Sequence, residues 1–402
     1  MSAPYFDPAY FNNVQEALRK AGICEPVLVI DKTRLDANIK ALRKILPRGM
    51  AYRIVAKSLP SAPLLAHIAK QAKTDRLMSF NATMVGQLLD ALPQCDQLLG
   101  KPVAAAGLAS FLKGLSPAQK KHLGQVQWLI DTPQRLAEYA ALAKKHRLAL
   151  RVNLEVDVGL HRGGMAPGAA LQAALGMLAS DKNLTLAGLM GYEPHLTKIP
   201  KLGGWRKRAQ KGAGALYEAA LAQARAGFGD AHVKNMVRNM AGSPTFGLYK
   251  DTQIANELAA GSALVKPSDF DLPILKDFQA AAFIATPALK VSDGVRFPAL
   301  EFANTMLGKP QSGKSVFIHG GYWMADPVHP KGLKTSSVFG RSSNQELLVG
   351  PKRTRLAVDD FVFLRPTQSE AVFLQFPKIA VFDRKAKTPK ISDIWTPLPV
   401  SA

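Results

Sequence analysis

The sequence predicts an α/β protein: a parallel (β/α)8 barrel with a second, mostly antiparallel β-domain. Two observations carry this. From residue 53 to residue 263, short apolar β-prone runs alternate with helix-like runs, and such alternation implies a parallel sheet. Beyond about residue 270, apolar and β-branched runs are broken by Gly, Pro and Asp, which is the texture of antiparallel strands.

In chain order, residues 10–21 show the helical spacing Phe11, Val14, Leu18, and residues 26–31 read as a strand. Helical runs at 36–46, 62–72 and 84–92 then alternate with strands at 53–58 and 76–81. Further strands are expected at 102–106, 126–131, 148–157, 186–192, 233–239 and 257–263, with helices at 133–145, 168–179 and 213–226. Counted from residue 53 there are eight strands in about 210 residues, slightly under the ~250 usual for a closed barrel. Later strands are expected at 280–285, 315–320, 360–364 and 371–376. The barrel is expected over 32–270, and a discontinuous β-domain over 1–31 and 271–402, with 26–31 as its first strand.

Composition bounds the function. A chain of 402 residues, 47% hydrophobic and 20% charged, has material for a substantial core. Cys24 and Cys95 lie far apart in sequence, so neither a disulfide framework nor a thiolate metal site is expected, and the expected location is cytoplasmic. Residues 1–10 carry Asp7, two prolines and no apolar run, unlike a secretory signal, and no stretch approaches the ~18 apolar residues of a membrane span. The formal charge of +22 invites a nucleic-acid reading. The basic groups are scattered, however, as in Arg206-Lys207-Arg208 with Lys211, and no aromatics interleave them. A solvated basic surface that attracts anionic metabolites is the better account, and nucleic-acid binding stands as the non-enzymatic alternative.

The run Arg53-Ile54-Val55-Ala56-Lys57-Ser58 sets one Lys at the end of a buried strand. Desolvation there favours the neutral amine, which condenses with a carbonyl as a Schiff base. A Lys that merely snorkels to solvent is the plain alternative. Barrel chemistry collects at C-terminal strand ends, where Lys57, Asn81, residues 157–162, Tyr192 and residues 242–245 all fall. Asn81 also suits a simple turn. In Ala241-Gly242-Ser243-Pro244-Thr245, a Gly beside hydroxyl residues lets backbone N–H groups close on a phosphate; the alternative is a Ser-Pro turn. In Glu155-Val156-Asp157-Val158-Gly159-Leu160-His161-Arg162, a strand with two carboxylates breaks at Gly159 before Arg162, which a surface turn would pair with Asp157. Gly191-Tyr192-Glu193-Pro194-His195 brings three ionisable groups to a strand end for substrate contact or proton transfer, unless His195 is only a loop residue.

Gly308-Lys309-Pro310-Gln311-Ser312-Gly313-Lys314-Ser315 matches the GxxxxGK[ST] phosphate loop, but its context fails. A nucleotide loop needs a helix after it, whereas residues 316–321 read as a strand ending in glycines, so a basic hairpin turn is expected.

The order of the 26–31 strand, Lys57, the 155–162 run and the 241–245 run resembles the alanine-racemase-like, fold-type III pyridoxal phosphate enzymes. Within them it looks most like the D-threonine aldolase and D-serine dehydratase branch. The resemblance implies a cofactor held by Lys57, with its phosphate on Gly242, Ser243 and Thr245. It also implies Arg162 near the phenolic oxygen, where a fixed cation favours the phenolate, and Tyr192 and Asn81 as further contacts. It implies a homodimer in which residues 320–324 or Gln368 to Glu370 complete a site, in cis or in trans.

One departure stands out. The family has a His near the C-terminus followed two residues later by Asp or Cys, and the pair holds a divalent metal. Here Gln368 and Glu370 occupy those places. Gln is a poor transition-metal ligand and Glu a good hard-cation one, so no metal ligand is assigned: zinc is disfavoured, while magnesium or calcium stays open. Both residues could instead bond the substrate hydroxyl, or form a polar turn. The expected activity is that of a lyase on a small D-β-hydroxy amino acid, with Glu370 or His195 as base. Aldol cleavage is favoured over dehydration, because expelling hydroxide usually calls for a Lewis acid. Racemisation is the alternative within the fold.

Overall fold

The computed structural model describes residues 7–200, 202–295, 311–337 and 339–398. They fall into two compact units. Strand β1, Val27–Asp31, belongs to the second and is taken up below. The first comprises the described residues of Ile39–Ala263, Leu272–Leu275 and Leu398–Ala402. In it β2 (Ala51–Val55), β3 (Arg76–Ser79), β4 (Asp96–Leu99), β5 (Val126–Ile130), β6 (Leu150–Val156), β7 (Leu184–Gly191), β8 (Val237–Met240) and β9 (Glu257–Ala260) close a parallel barrel in that order. The predicted barrel is therefore present, with three local corrections. Residues 102–106 are not a strand: Ala105–Gly114 is a helix, as its alanines favour, and the strand is β4. The start of 233–239 belongs to a helix, Asp230–Asn235, which β8 follows. Lys57 and Ser58 lie in a 3-10 turn, Ala56–Ser58, just past β2.

Polar side chains fill one end of the barrel interior. Arg53 is fully buried on β2, and its guanidinium donates to both Glu257 carboxylate oxygens, to Asp96 Oδ1 and to two backbone carbonyls. Arg76 also binds Glu257, while Arg151 and Gln127 bind Asp96. Burial alone would neutralise these groups. For Arg53, the opposing charges of Glu257 and Asp96 outweigh it and hold the guanidinium charged, while both carboxyls are held below their ordinary range by their arginines. Glu257, Asp96 and Arg76 are the first residues of their strands, so this end of the barrel is structural and leaves the C-terminal ends for chemistry.

The second unit holds the described residues of Met1–Asn38, Leu264–Asp271 and Lys276–Pro397. Its strands after β1 are β10 (Ala282–Val295), β11 (Gln311–His319), β12 (Ala325–His329), β13 (Lys334–Thr335), β14 (Gln345–Gly350), β15 (Phe361–Pro366), β16 (Ile379–Asp383) and β17 (Lys390–Trp395). Among the described residues they make one nine-stranded sheet, antiparallel throughout except where β1 runs parallel to β16. The helix Pro8–Lys20 starts at Asp7, whose carboxylate accepts the Ala9 N–H. It buries Phe11, Val14 and Leu18 among Phe283, Phe363 and Phe382, as the helical spacing predicts. Residues 371–376 are not a strand; Ser369–Phe373 is a helix, with Glu370 in its first turn, where the helix dipole favours an acid. Gly308 to Pro310 lie outside the described residues, and Gln311 onward is β11, so a strand stands where a nucleotide loop would need a helix.

Candidate active site

The strand-end side chains of the barrel form an arc that can be followed contact by contact. Lys57 is half-buried, and its Nζ lies 5.2 Å from the centre of the Phe80 ring, just past β3. Its neighbour Ser58 receives a hydrogen bond from the Ser262 hydroxyl at 2.9 Å. Ser262 follows Gly261, whose N–H donates to Ser243 Oγ at 3.1 Å, and the Ala263 N–H donates to the same oxygen at 3.0 Å. Ser243 thus ties the loop after β8 to the loop after β9. Beside it, Gly242 lies against the Tyr192 ring, so closely that a Cβ there would sit 2.5 Å from a ring carbon. The Arg162 guanidinium lies 5.2 Å from the centre of that ring.

The loop carrying Arg162 folds back on its own strand. The Glu155 carbonyl accepts the Met165 N–H, and the Met165 carbonyl accepts the Asp157 N–H. Gly164 permits this: its φ is +91°, and a Cβ would meet Asp157 N at 2.9 Å. Burial raises the Glu155 pKa, and the opposing charge of Arg162 offsets part of that. Asp157 accepts the Gly159 and His161 N–H groups on one oxygen and faces His161 Nδ1 at 2.8 Å with the other. Burial works against its charge, but the bonds from His161 and Gly159 outweigh it and lower its pKa. His195 lies across Gly159, with its Nδ1 buried and without a hydrogen-bond partner. Burial, and then the nearby His161, lower the His195 pKa, so its imidazole is neutral at pH 7.

Thr245 accepts the Gly242 N–H at 3.1 Å and is fully buried. Asn81 caps the helix Ala82–Ala91, its Oδ1 accepting the Met84 N–H at 2.7 Å. Lys57, Arg162, Tyr192, Gly242, Ser243 and Thr245 therefore come together on the arc, with His195 beside the Arg162 loop and Asn81 at the next helix cap. Glu370 and Gln368 belong to the other unit, where Gln368 Nε2 donates to Asp269. Sequence reasoning did not assign Phe80, Gly261 or Ser262, and it placed Glu193 among three strand-end candidates without giving it a role of its own. Gly261 and Ser262 had a usable signal, a Gly-Ser pair just beyond the last barrel strand.

Glu193 is fully buried behind the arc. Its Oε2 accepts the Ala241 N–H at 3.2 Å, and its Oε1 has no hydrogen-bond partner. Burial pushes its pKa up to about 7, against the lowering influence of the Thr245 hydroxyl, the Ala241 N–H and the Tyr249 hydroxyl. A carboxyl whose folded pKa lies above its unfolded value binds more protons folded than unfolded between the two. Stability therefore falls as pH rises through that window. At 1.36 kcal/mol per pH unit the loss is about 3 kcal/mol. Urea unfolding at pH 5 and pH 8 is expected to show this loss in wild type and not in Glu193→Gln; equal pH dependence in both would refute it. For Gly242→Ala, displacement of the Tyr192 ring is expected to cost about 1–3 kcal/mol in the same measurement, and a neutral result would mean the ring relocates freely.

The closed β/α barrel, with Lys57 just past its first strand and a Gly-Ser loop after its seventh, has the arrangement expected of the fold-type III class. The sequence matches the alanine racemase N-terminal domain family over residues 30–269, and the chain belongs to that family, whose members use pyridoxal phosphate. Solved structures agree in fold. D-threonine aldolase from Filomicrobium marinum aligns at a TM-score of 0.71 with 15% identity, over 93% of this chain and 97% of its own. D-threo-3-hydroxyaspartate dehydratase from Delftia sp. HT23 gives 0.71 and 15%, over 94% and 97%. Alanine racemase from Clostridium difficile 630 gives 0.68 and 12%, over 92% and 98%. No curated protein matches by sequence. Among the described residues no helix is long and apolar enough to cross a membrane.

Proposed function

We propose that the chain is a pyridoxal phosphate-dependent lyase acting on a small D-configured β-hydroxy amino acid, with aldol cleavage favoured over dehydration. The observation that supports it most is the arc from Lys57 through Ser262, Ser243 and Gly242 to Tyr192 and Arg162. The residues suit the cofactor: Gly242 lets the Tyr192 ring pack against the loop, and the paired loops follow the seventh and eighth barrel strands, a common place for a phosphate. When bound, the cofactor supplies an electron sink for the pair released at the substrate α-carbon. Lys57 would hold it through its amine and Gly242, Ser243 and Thr245 would hold the phosphate, with Arg162, Tyr192 and Asn81 as further contacts. His195, neutral at pH 7, takes the proton from the substrate β-hydroxyl; Glu370 is the other candidate base, on its sequence position alone.

Free Cys24 and Cys95 accord with a cytoplasmic setting, and a homodimer is proposed from the family resemblance. Light scattering of active enzyme should give twice the mass of one chain; an active monomer would refute the dimer. Purified protein should be yellow, with absorbance bleached by borohydride. D-threonine should yield glycine and an aldehyde, with or without EDTA. A colourless protein that takes up no added cofactor would overturn the reading. Keto acid as the sole product, lost on adding EDTA, would overturn the preference for cleavage and point to a metal at Gln368 and Glu370. Racemisation is the second reading, favoured by the family match, and the enantiomer of recovered substrate reports it directly.

A further inference from the structure

The β8–β9 connection carries no α-helix, only the 3-10 turn Phe246–Leu248. The long helix Trp205–Phe228 therefore lacks the next helix that barrel alternation would place against its flank. A cavity of about 570 Å³ lies there, between the first half of that helix and the segment from Leu248 to Ile254. Such a volume is ordinary for a small-molecule site. Besides Glu218, Tyr249, Lys250 and Asp251, its lining has three parts. Leu196, Met240, Leu248 and Ile254 are apolar. Lys207 and Lys211 stand one turn apart on one helix face, an arrangement that costs the helix a few tenths of a kcal/mol by like-charge repulsion. Among the described residues neither is ion-paired. At the inner end is Glu193, fully buried; the Ala241 N–H takes its Oε2, the Tyr249 hydroxyl lies beside the carboxyl, and Oε1 makes no hydrogen bond.

The geometry points to this cavity as a second small-molecule site, separate from the cofactor arc, that takes an amino acid or similar zwitterion with an apolar side chain. The ligand ammonium supplies the donor that Glu193 Oε1 lacks, its carboxylate relieves the Lys207 and Lys211 repulsion, and its side chain meets the apolar wall. Neither an amine nor an acid alone meets both ends. Occupancy is sensed at the arc, because the same carboxyl holds the Ala241 N–H at the start of the Gly242–Thr245 loop. This coupling rests on the function proposed above; the binding does not.

Calorimetric titration of the purified full-length protein tests it, with L-leucine as probe and isoamylamine and isovalerate as its two halves. L-leucine is expected to bind at least tenfold more tightly than either half, and Glu193→Gln to weaken it at least tenfold. Gly214 faces the cavity, where a Cβ would meet Ile254 Cδ1 at 3.3 Å and no atom of Gly242 to Thr245 within 4 Å, so Gly214→Leu fills it from the helix side against Ile254. That variant is expected to abolish L-leucine binding while its visible absorbance matches wild type. No binding to wild type, or binding unchanged in Gly214→Leu, overturns the site. A colourless protein that binds L-leucine and loses it in both variants keeps the site and defeats only the cofactor reading.

Discussion

Lys57→Ala is expected to lose the visible absorbance of the purified protein and roughly four orders of magnitude in turnover, which is about 5 kcal/mol of barrier. The size of the effect follows from the position. Lys57 is in the turn that ends the first barrel strand, and its hydroxyl neighbour binds Ser262 in the loop after the last one, which sets its amine on the arc. The variant should fold, because a half-buried side chain at a turn contributes little to stability, within about 1 kcal/mol. Lys57→Arg separates chemistry from charge: it keeps a cation near Phe80 but offers no amine able to attack a carbonyl. Both variants should therefore be colourless with melting temperatures close to wild type. Retained absorbance in Lys57→Ala would move the cofactor amine elsewhere and remove the basis of the proposed function.

Much of this was legible in the sequence because local pattern carried it. The apolar run before Lys57 gives β2, the spacing of Phe11, Val14 and Leu18 gives the first helix, and Gly242-Ser243 follows a strand. What pattern did not carry was polar residues pointing into the barrel. β4 is only Asp96–Leu99; Asp96 turns inward to Arg53, while Gln97, on the opposite face, bonds Ser79 and the Val85 carbonyl of the helix Ala82–Ala91, so half the strand has no apolar signature. The expectation moved to the next apolar run, at 102–106, and missed. Gln368 to Glu370 read as a turn before a strand, yet an acid in the first turn of a short helix is equally consistent with those letters. Glu193 was visible as an ionisable residue in a suggestive motif. Its burial was not, because that depends on Ala241 and Thr245, some fifty residues later.

Arg53→Ala is expected to destabilise the protein by about 3–5 kcal/mol, the usual cost of removing one partner from a buried ion pair. The change leaves Glu257, fully buried, with Arg76 and Asn239, and leaves the Leu77 carbonyl without its side-chain donor. Lys cannot substitute: Arg53 reaches two carboxylates and two carbonyls at once through a planar fork, which a single ammonium does not span. The pH dependence gives a sharper test than the midpoint. In wild type the Glu257 and Asp96 pKa values are lowered, so their contribution is present above the unfolded carboxylate range near pH 4 and is lost as pH falls through the folded values. Without Arg53, burial dominates at Glu257 and its pKa rises, so the variant escapes part of its penalty by taking up a proton. The stability gap between wild type and Arg53→Ala, read from urea unfolding, should therefore be larger at pH 8 than at pH 5. A gap that is constant across that range would mean the loss is packing alone, and that the charged layer is not what holds this end of the barrel closed.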